Sequence, residues 1–251
     1  MRRFFIPTEK ISGNRAVLDG AEAHHLRTVM RMGPGDRVTV FDGAGHAYQA
    51  VISSSDGKQV WLDLTEKQRA EHTVHLEIAM AQGYLKDKKM DGLIRPLTEL
   101  GLTRWVPFMA GRSVPVPDAR RLEARAQRWR KLALQAMKQC RRNQPLTIDY
   151  PCSFGATLAQ SEAYDLKLLF WEKADTGLRL EPSQHRVCAR VFLLVGPEGG
   201  FGDAEVKLAQ ERGFQVLGMG PRILRAETAA VAACALVQYV WGDMGKSVQG
   251  R

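Results

Sequence analysis

The sequence is poor in the features that mark secreted, metal-binding and membrane-spanning proteins. Its four cysteines contain no CxxC pair and have no nearby histidine partner, so neither a disulfide framework nor a zinc site is indicated. His72 and His75 lie three residues apart without further ligands, and we predict no metal. No stretch approaches about 18 uninterrupted apolar residues, and the N-terminus MRRFFIPTEK lacks the apolar run of a signal peptide. We therefore expect a cytoplasmic protein that does not associate with membranes.

Acidic residues are also scarce relative to basic ones. Lys and Arg number 36 against 27 Asp and Glu in 251 residues, a formal charge of +9. Hydrophobic residues make up 45% and charged residues 25%, which is typical of globular proteins and argues against disordered and coiled-coil classes. This length is compatible with one large or two small domains.

Much of the positive charge lies in one segment. Between Arg112 and Asn143 there are ten basic residues and two acidic ones, a balance of +8. From Asp118 to Cys140, apolar residues recur at helical spacing while arginines occupy the other face, which predicts a basic amphipathic helix. Such a face is either simply solvated or contacts phosphates, because several cations together bind a polyanion by releasing its counterions.

The chain changes character near residue 70. Before it, short strand patterns at 37–41, 47–53 and 59–64 alternate with turns, interrupted by one predicted helix over 21–31. The loop Asp42-Gly43-Ala44-Gly45 is superficially similar to the glycine-rich loop of Rossmann-type methyltransferases, but a strand pattern follows it, so we interpret it as a hairpin turn.

After a polar linker at 65–73, strand and helix patterns alternate, which indicates an α/β domain. We expect strands at 74–81, 105–108, 146–149, 166–171 and 190–196, a strand and loop at 214–220, and helices at 88–100, 118–140, 203–212 and 228–241. The predicted domains are 1–70 and 71–251.

Two glycine-rich loops carry the candidate chemistry. Val195 to Gly202 (VGPEGGFG) joins an apolar strand to a helix, and Leu217 to Thr228 (LGMGPRILRAET) opens the last helix. Ligands bind at the carboxyl ends of strands in open α/β sheets, where glycines let the main chain approach closely. The first loop does not continue into Gly-Lys-Ser/Thr, and Glu198 would repel phosphate, so an uncharged or cationic ligand is expected. Taken singly, each loop fits a structural turn better than a ligand-binding loop.

Together the loops resemble a specific family. GPEGG, followed about 20 residues later by LGMGPRILRAETA, is similar to the signature of the RsmE family, SPOUT methyltransferases that modify a small-subunit rRNA uridine at N3. HHLRTVMRMGPGD, FDGAG, LTELG and QCRRN extend the resemblance over nearly the whole chain. The sequence departs from the family pattern at Pro96 and Arg141, which bears on RNA docking rather than on the reaction class.

The resemblance implies a fold and partners. It implies a C-terminal α/β trefoil-knot (SPOUT) methyltransferase domain with an N-terminal PUA-like β-barrel, S-adenosyl-L-methionine (SAM) as methyl donor, 16S rRNA in the 30S subunit as substrate, and a homodimer. Alternatives are a non-catalytic RNA-binding or ribosome-assembly factor and a SPOUT methyltransferase with another nucleotide target.

It also implies site residues. Glu198 or Glu227 would remove the N3 proton, and Arg222 or Arg225 would stabilise the uracil anion or bind a phosphate. The alternative roles of the two glutamates are structural: one would stabilise a loop and the other would cap a helix. The cofactor-binding candidates are Leu169, Gly196, Pro197, Gly199, Gly200, Leu217, Gly218, Gly220, Ile223, Leu224 and Thr228. The RNA-binding candidates are Arg2, Arg3, His25, Arg27, Arg31, Arg112, Arg141 and Arg142, with His24 beside them.

Overall fold

The computed structural model describes residues 3–68, 76–113, 118–177 and 189–245. The chain divides into two compact units, the first comprising Met1–Thr73 with Met137–Pro145 and the second Val74–Ala136 with Leu146–Arg251. Residues 137–145 fall in the segment that the sequence assigned to the C-terminal domain, but they cluster with the first unit. Arg3 holds them there, because its guanidinium donates to Asn143 Oδ1 at 2.5 Å and to the Arg141 carbonyl at 3.3 Å.

The first unit is built on a mixed six-stranded sheet in the order β1-β4-β5-β6-β3-β2. Among the strand pairs described in this sheet, β1–β4 is parallel and the others are antiparallel. Register shifts in the β5–β6 pair, at Gln49/Ala50 and Ile52/Ser54, are the kind of irregularity that increases local twist. The strands are β1 (Arg3–Phe5), β2 (Ile11–Ser12), β3 (Arg15–Leu18), β4 (Arg37–Phe41), β5 (Ala47–Ser55) and β6 (Val60–Gln68).

The turn between β4 and β5 confirms the hairpin interpretation of the Asp42 loop. The Asp42 carboxylate accepts hydrogen bonds from the main-chain N–H groups of Ala44 and His46 at 2.8 and 3.0 Å, and it contacts His46 Nδ1 at 2.9 Å. Burial opposes ionisation, but these bonds from His46 and Ala44 outweigh it and lower the pKa of Asp42. The loop therefore satisfies its own backbone, as a structural turn does.

The helical segment of this unit differs from its prediction in detail. A short α1 (Gly20–His24) continues as a π-helical turn over His25–Val29, instead of one regular helix over 21–31. Arg31 then takes a φ of 53°, which ends the helix and turns the chain. Ala23 and Leu26 still point inward and pack with the apolar side chains of the sheet.

The second unit is an α/β domain whose seven strands are all parallel, in the order β10-β8-β7-β12-β11-β13 with β9 beside β8. The predicted α/β class is thus confirmed. A 3₁₀ turn at Ser161–Ala163 and the short α4, capped by the Ser153 side chain, were not predicted. The elements are β7 (Glu77–Gly83), α2 (Lys89–Glu99), β8 (Arg104–Met109), α3 (Ala119–Gln139), β9 (Thr147–Ile148), β10 (Cys152–Ser153), α4 (Phe154–Gln160), β11 (Leu166–Phe170), β12 (Arg190–Val195), α5 (Asp203–Glu211), β13 (Gln215–Leu217) and α6 (Ala226–Val240).

Helices cover both faces of this sheet, which is why its central strands are apolar throughout. In β12, Leu193 contributes to a core with α2, α3 and α6, while Phe192 and Leu194 contribute to a core with α4 and α5. Within the described part of the chain, the helices are too short or too polar to cross a membrane.

The first glycine-rich loop is positioned by the end of β7. The buried Gln82 donates from Nε2 to the Gly196 carbonyl at 3.0 Å. At Gly83, an added Cβ would overlap the main-chain nitrogen of Pro197. The loop can lie against β7 only because residue 83 has no side chain.

Gly83→Ala should therefore lower the free energy of unfolding by about 1–3 kcal/mol, since the main chain of the loop must move. Gly92→Ala is the matched control: a Cβ there, on the exposed side of α2, meets nothing within 4 Å and should stabilise the helix by up to about 1 kcal/mol. Urea denaturation measures both variants. Equal stabilities for the two would contradict the close approach.

Candidate functional site

A cavity of about 450 Å³ lies at the carboxyl ends of β11, β12 and β13, within the range of small-ligand sites. It is the edge at which parallel sheets bind ligands. Both predicted loops reach it, together with the segment after β11 and the first residues of α2 and α6. The lining residues are Lys89, Phe170, Trp171, Glu172, Val195 to Phe201, Met219 to Glu227, and Ala229.

Two glycines in the lining have conformations that other residues rarely adopt. Gly200 has a φ of +65° and Gly220 a φ of +84°. A Cβ on Gly200 would also stand 2.7 Å from a carboxylate oxygen of Glu172. The main chain itself thus forms part of the cavity wall, and its N–H and C=O groups are within reach of a ligand.

Lys89 joins the two candidate glutamates. Its Nζ lies 2.9 Å from Glu198 Oε1 and 3.6 Å from Glu227 Oε1. Glu198 Oε1 also accepts the main-chain N–H of Lys86 at 3.2 Å. Burial opposes ionisation of Glu198, but the hydrogen bond from Lys89 and those from the main chain outweigh it, so its pKa lies below the ordinary value. The same bond raises the pKa of Lys89.

Two buried polar atoms of the cavity lining have no hydrogen-bond partner in the described part of the chain. They are Glu227 Oε2 and Trp171 Nε1, an acceptor and a donor. Buried polar groups are almost always paired, because an unsatisfied one costs about 1–3 kcal/mol. We therefore treat both atoms as candidate contacts for a bound molecule.

The two candidate arginines lie at the exposed margin of the cavity. Arg225 is the residue before α6, and both Arg222 and Arg225 line the cavity and are solvent-exposed. Ile223 is 84% exposed, so it forms part of the rim instead of an enclosed apolar wall.

Four predicted cofactor residues do not line the cavity. Leu169 alternates with Phe170 in β11 and points into the core under α4 and α5, on the other side of the sheet. Leu217 is buried in the core beneath α6, and Thr228 is exposed on the outside of that helix. Gly218 donates its N–H to the Thr176 carbonyl at 2.9 Å, and so joins two loops instead of bordering the cavity. The other seven predicted cofactor residues line it.

Two of the predicted RNA-binding side chains are buried. Arg3 is 8% exposed, with its guanidinium 5.1 Å from the centre of the Phe41 ring, and Arg142 is 9% exposed. Both side chains therefore offer little exposed charge in this structure, and their binding of RNA stays a prediction. Arg2 lies outside the described residues.

The remaining candidates can reach a ligand from the surface. His25, Arg31 and Arg141 are exposed, and Arg27 is partly exposed and donates to the Gly57 carbonyl at 2.6 Å. Arg112 is exposed and donates to the Gly199 carbonyl at 3.2 Å, beside the first glycine-rich loop. Their binding of RNA stays a prediction.

Sequence reasoning missed Lys89, Trp171 and Glu172. Lys89 lies more than 100 residues before its partner Glu198. A usable signal existed, because Trp171 ends a predicted strand, Glu172 follows it, and Lys89 begins the helix after another strand. All three therefore lie near the carboxyl edge of a parallel sheet.

Comparison with known proteins agrees with this architecture. A family model described as an RNA methyltransferase domain matches residues 72–238, and one described as an RNA methyltransferase PUA domain matches residues 18–65. Ribosomal RNA small subunit methyltransferase E of Synechocystis is 30% identical over 94% of this chain and 76% of its own length. The chain belongs to the ribosomal RNA small subunit methyltransferase E family.

Other members of the family match over nearly their full length. The Bacillus subtilis methyltransferase E is 29% identical over 95% of this chain and 96% of its own. The crystal structure of methyltransferase E from Neisseria gonorrhoeae bound to S-adenosyl methionine has a TM-score of 0.85 and 29% identity, covering 97% of this chain and 99% of that one. The family's PUA-like and methyltransferase domains therefore account for both units.

The contact between Lys89 and Glu198 predicts a pH-dependent stability. Folding lowers the pKa of Glu198, so its ionised carboxylate stabilises the folded state at pH values above its pKa in the unfolded chain. This stabilisation is lost as the pH falls through the lower pKa of the folded state. Wild type should thus exceed Lys89→Met in stability near neutral pH and lose that advantage in acid. Lys88→Met is the control, since Lys88 is exposed and forms no ion pair with the described residues. Urea titrations across pH measure this; a pH-independent difference would contradict it.

Proposed function

We propose that the protein transfers a methyl group from SAM to N3 of a uridine in 16S rRNA, acting on the assembled 30S subunit. As a member of its family it is a SAM-dependent rRNA methyltransferase; the nucleotide position and the 30S substrate are our inference from the family resemblance of the sequence motifs. The observation that carries the proposal is Glu227 Oε2, a carboxylate oxygen without a partner among the described residues, beside a cavity whose wall is partly main chain.

The cavity fits the methyl donor. SAM is a cation without phosphates. The lining offers the carboxylates of Glu172, Glu198 and Glu227, main-chain groups and apolar side chains, while its cations are Lys89, which is paired with Glu198, and the two arginines at the rim. We expect Gly196, Pro197, Gly199, Gly200, Gly220 and Leu224 to hold it, with Trp171 Nε1 donating a hydrogen bond. Bound there, SAM supplies an electrophilic methyl group whose bond to sulfur breaks with its electron pair passing to the sulfur.

We assign removal of the N3 proton to Glu227. A neutral uridine nitrogen is a poor nucleophile, and its lone pair is freed when the proton leaves. Glu227 Oε2 has no partner among the described residues and can accept that proton, while Lys89 lies nearer to Oε1. Glu198 already accepts hydrogen bonds from Lys89 and a main-chain N–H, and its pKa is lowered. It is therefore a weak base, and we assign it the structural role of holding the loop in place.

Arg222 and Arg225 are assigned to the charge that develops on the uracil. Loss of the N3 proton places negative charge on the two carbonyl oxygens beside it. A guanidinium at the rim of the cavity stabilises that charge or binds a neighbouring phosphate by charge-assisted hydrogen bonds. In the described part of the chain neither arginine forms an ion pair, so both are available for this role.

We also infer a cytoplasmic homodimer. The outer side of α6 is rich in alanine and carries Tyr239, which is 65% exposed. Small residues allow close packing of a second helix, and an exposed apolar surface is stabilised by a partner. A monomeric mass by light scattering at micromolar concentration would contradict this inference.

Labelled SAM should transfer its methyl group to unmodified 30S subunits more efficiently than to naked 16S rRNA, because two domains require a preformed RNA surface. Mass spectrometry of the digested rRNA should locate the label on N3 of a uridine. Absence of label would favour the non-catalytic RNA-binding factor, and label on another base would favour a different nucleotide target.

Glu227→Gln should lower the rate of methyl transfer by about 10²–10⁴-fold, the usual contribution of a general base, with SAM affinity retained in calorimetry. The residual rate should rise with pH, because the uridine ionises without help. Glu198→Gln should have a smaller effect, as it leaves the proton acceptor in place. A larger loss in Glu198→Gln than in Glu227→Gln would overturn the assignment.

A further inference from the structure

The orientation of α3 is set by its apolar side. Trp129 is fully buried, its ring packs edge-on against Trp105 at 5.0 Å, and its Nε1 donates to Asp91 at 2.7 Å. Ala126 and Ala133, on the same side of the helix, are also buried. The helix cannot rotate without removing a tryptophan from the core, so its opposite side must face solvent.

That exposed side is strongly basic. From Ala119 to Ala136, six Arg or Lys residues stand against a single acidic one, Glu123. We call the exposed cations with a neighbouring tyrosine the α3 basic face; it consists of Arg120, Arg121, Arg128, Arg130, Lys131 and Tyr150.

The charges of this face are only weakly neutralised. Arg121 lies 3.4 Å from Asp118 and Arg130 lies 3.9 Å from Glu123, in pairs with largely exposed side chains. Arg120 and Lys131 form no ion pair with any residue of the described ranges. Exposed pairs contribute at most about 1 kcal/mol, so a polyanion can displace them. Arg128 is held more firmly, 2.8 Å from the mostly buried Asp91.

Tyr150 adds an exposed aromatic ring to the face. Its side chain is 50% exposed, and the Arg130 guanidinium carbon lies 5.9 Å from the ring centre. An exposed ring beside a guanidinium is the combination on which unstacked nucleic-acid bases pack. A membrane surface would instead require a bulky apolar series, whereas Gln127 and Gln135 lie between the cations.

We propose that the α3 basic face binds single-stranded segments of the substrate RNA, with phosphates on Arg120, Arg121 and Lys131 and an unstacked base on Tyr150. From Arg120 to Lys131 the helix rises about 16 Å, enough for two or three successive phosphates. The inference rests on the proposed function for the identity of the RNA, but binding itself is measured without methyl transfer.

The test uses fluorescein-labelled oligouridylate and a duplex RNA of the same length, titrated with the full chain at several salt concentrations. The double variant Arg120→Gln/Lys131→Gln should weaken binding of the oligouridylate and reduce the slope of log affinity against log salt by about 1.4, or 0.7 per lost phosphate contact. The control Lys58→Gln/Lys207→Gln removes the same charge from exposed positions elsewhere and should leave that slope unchanged.

Stacking is tested separately at Tyr150. Tyr150→Ala should weaken oligouridylate binding about tenfold and leave duplex binding unchanged, while Tyr150→Phe, which keeps the ring, should bind as wild type does. Unchanged melting temperatures and SAM affinity show that the variants are folded. Equal losses in the α3 and control double variants, or a tenfold loss in Tyr150→Phe, would overturn the proposal.

The outcome separates this inference from the proposed function. If wild type methylates 30S subunits but the α3 variants bind and react as wild type does, the face is not the RNA surface and the enzymatic proposal stands. If no RNA is methylated but the slope and Tyr150 effects occur, the RNA surface stands and the reaction assignment fails.

Discussion

The site depends on a main-chain contact between the end of one strand and the loop after its neighbour in the sheet. Gly83 lets the Pro197 nitrogen lie against β7, and the Gln82 amide binds the Gly196 carbonyl from the buried side. The parallel strands place the loop at 196–202 and the loop after β13 at the same carboxyl edge, and this contact fixes the first loop against β7.

Within this frame, the division of roles between two carboxylates is an electrostatic consequence of one lysine. Lys89 lies much closer to Glu198 than to Glu227, and a main-chain N–H binds Glu198 as well. One glutamate is thereby stabilised in its charged form, while Glu227 keeps an oxygen without a partner among the described residues. Two chemically identical groups beside one lysine thus acquire different reactivity from their surroundings.

The pattern of apolar residues predicted most of the architecture. Continuous apolar runs such as 190–196 predicted strands covered on both faces, and the amphipathic segment 118–140 became α3 almost residue for residue. The short α4 was missed because seven residues hold less than two full periods of a helix. The trefoil knot stays a prediction from the family resemblance.

The sequence by itself determined the α/β class, the family, the two loops and the basic helix, because all of these are carried by local pattern and by motifs. Only the tertiary structure decided which side chains meet. It turned Leu169 away from the cavity, since neighbours in a strand point to opposite faces. It buried Arg3 and Arg142 in the first unit and brought Lys89 to Glu198 across more than 100 residues. Such contacts depend on strand order and register, which no local stretch of sequence encodes.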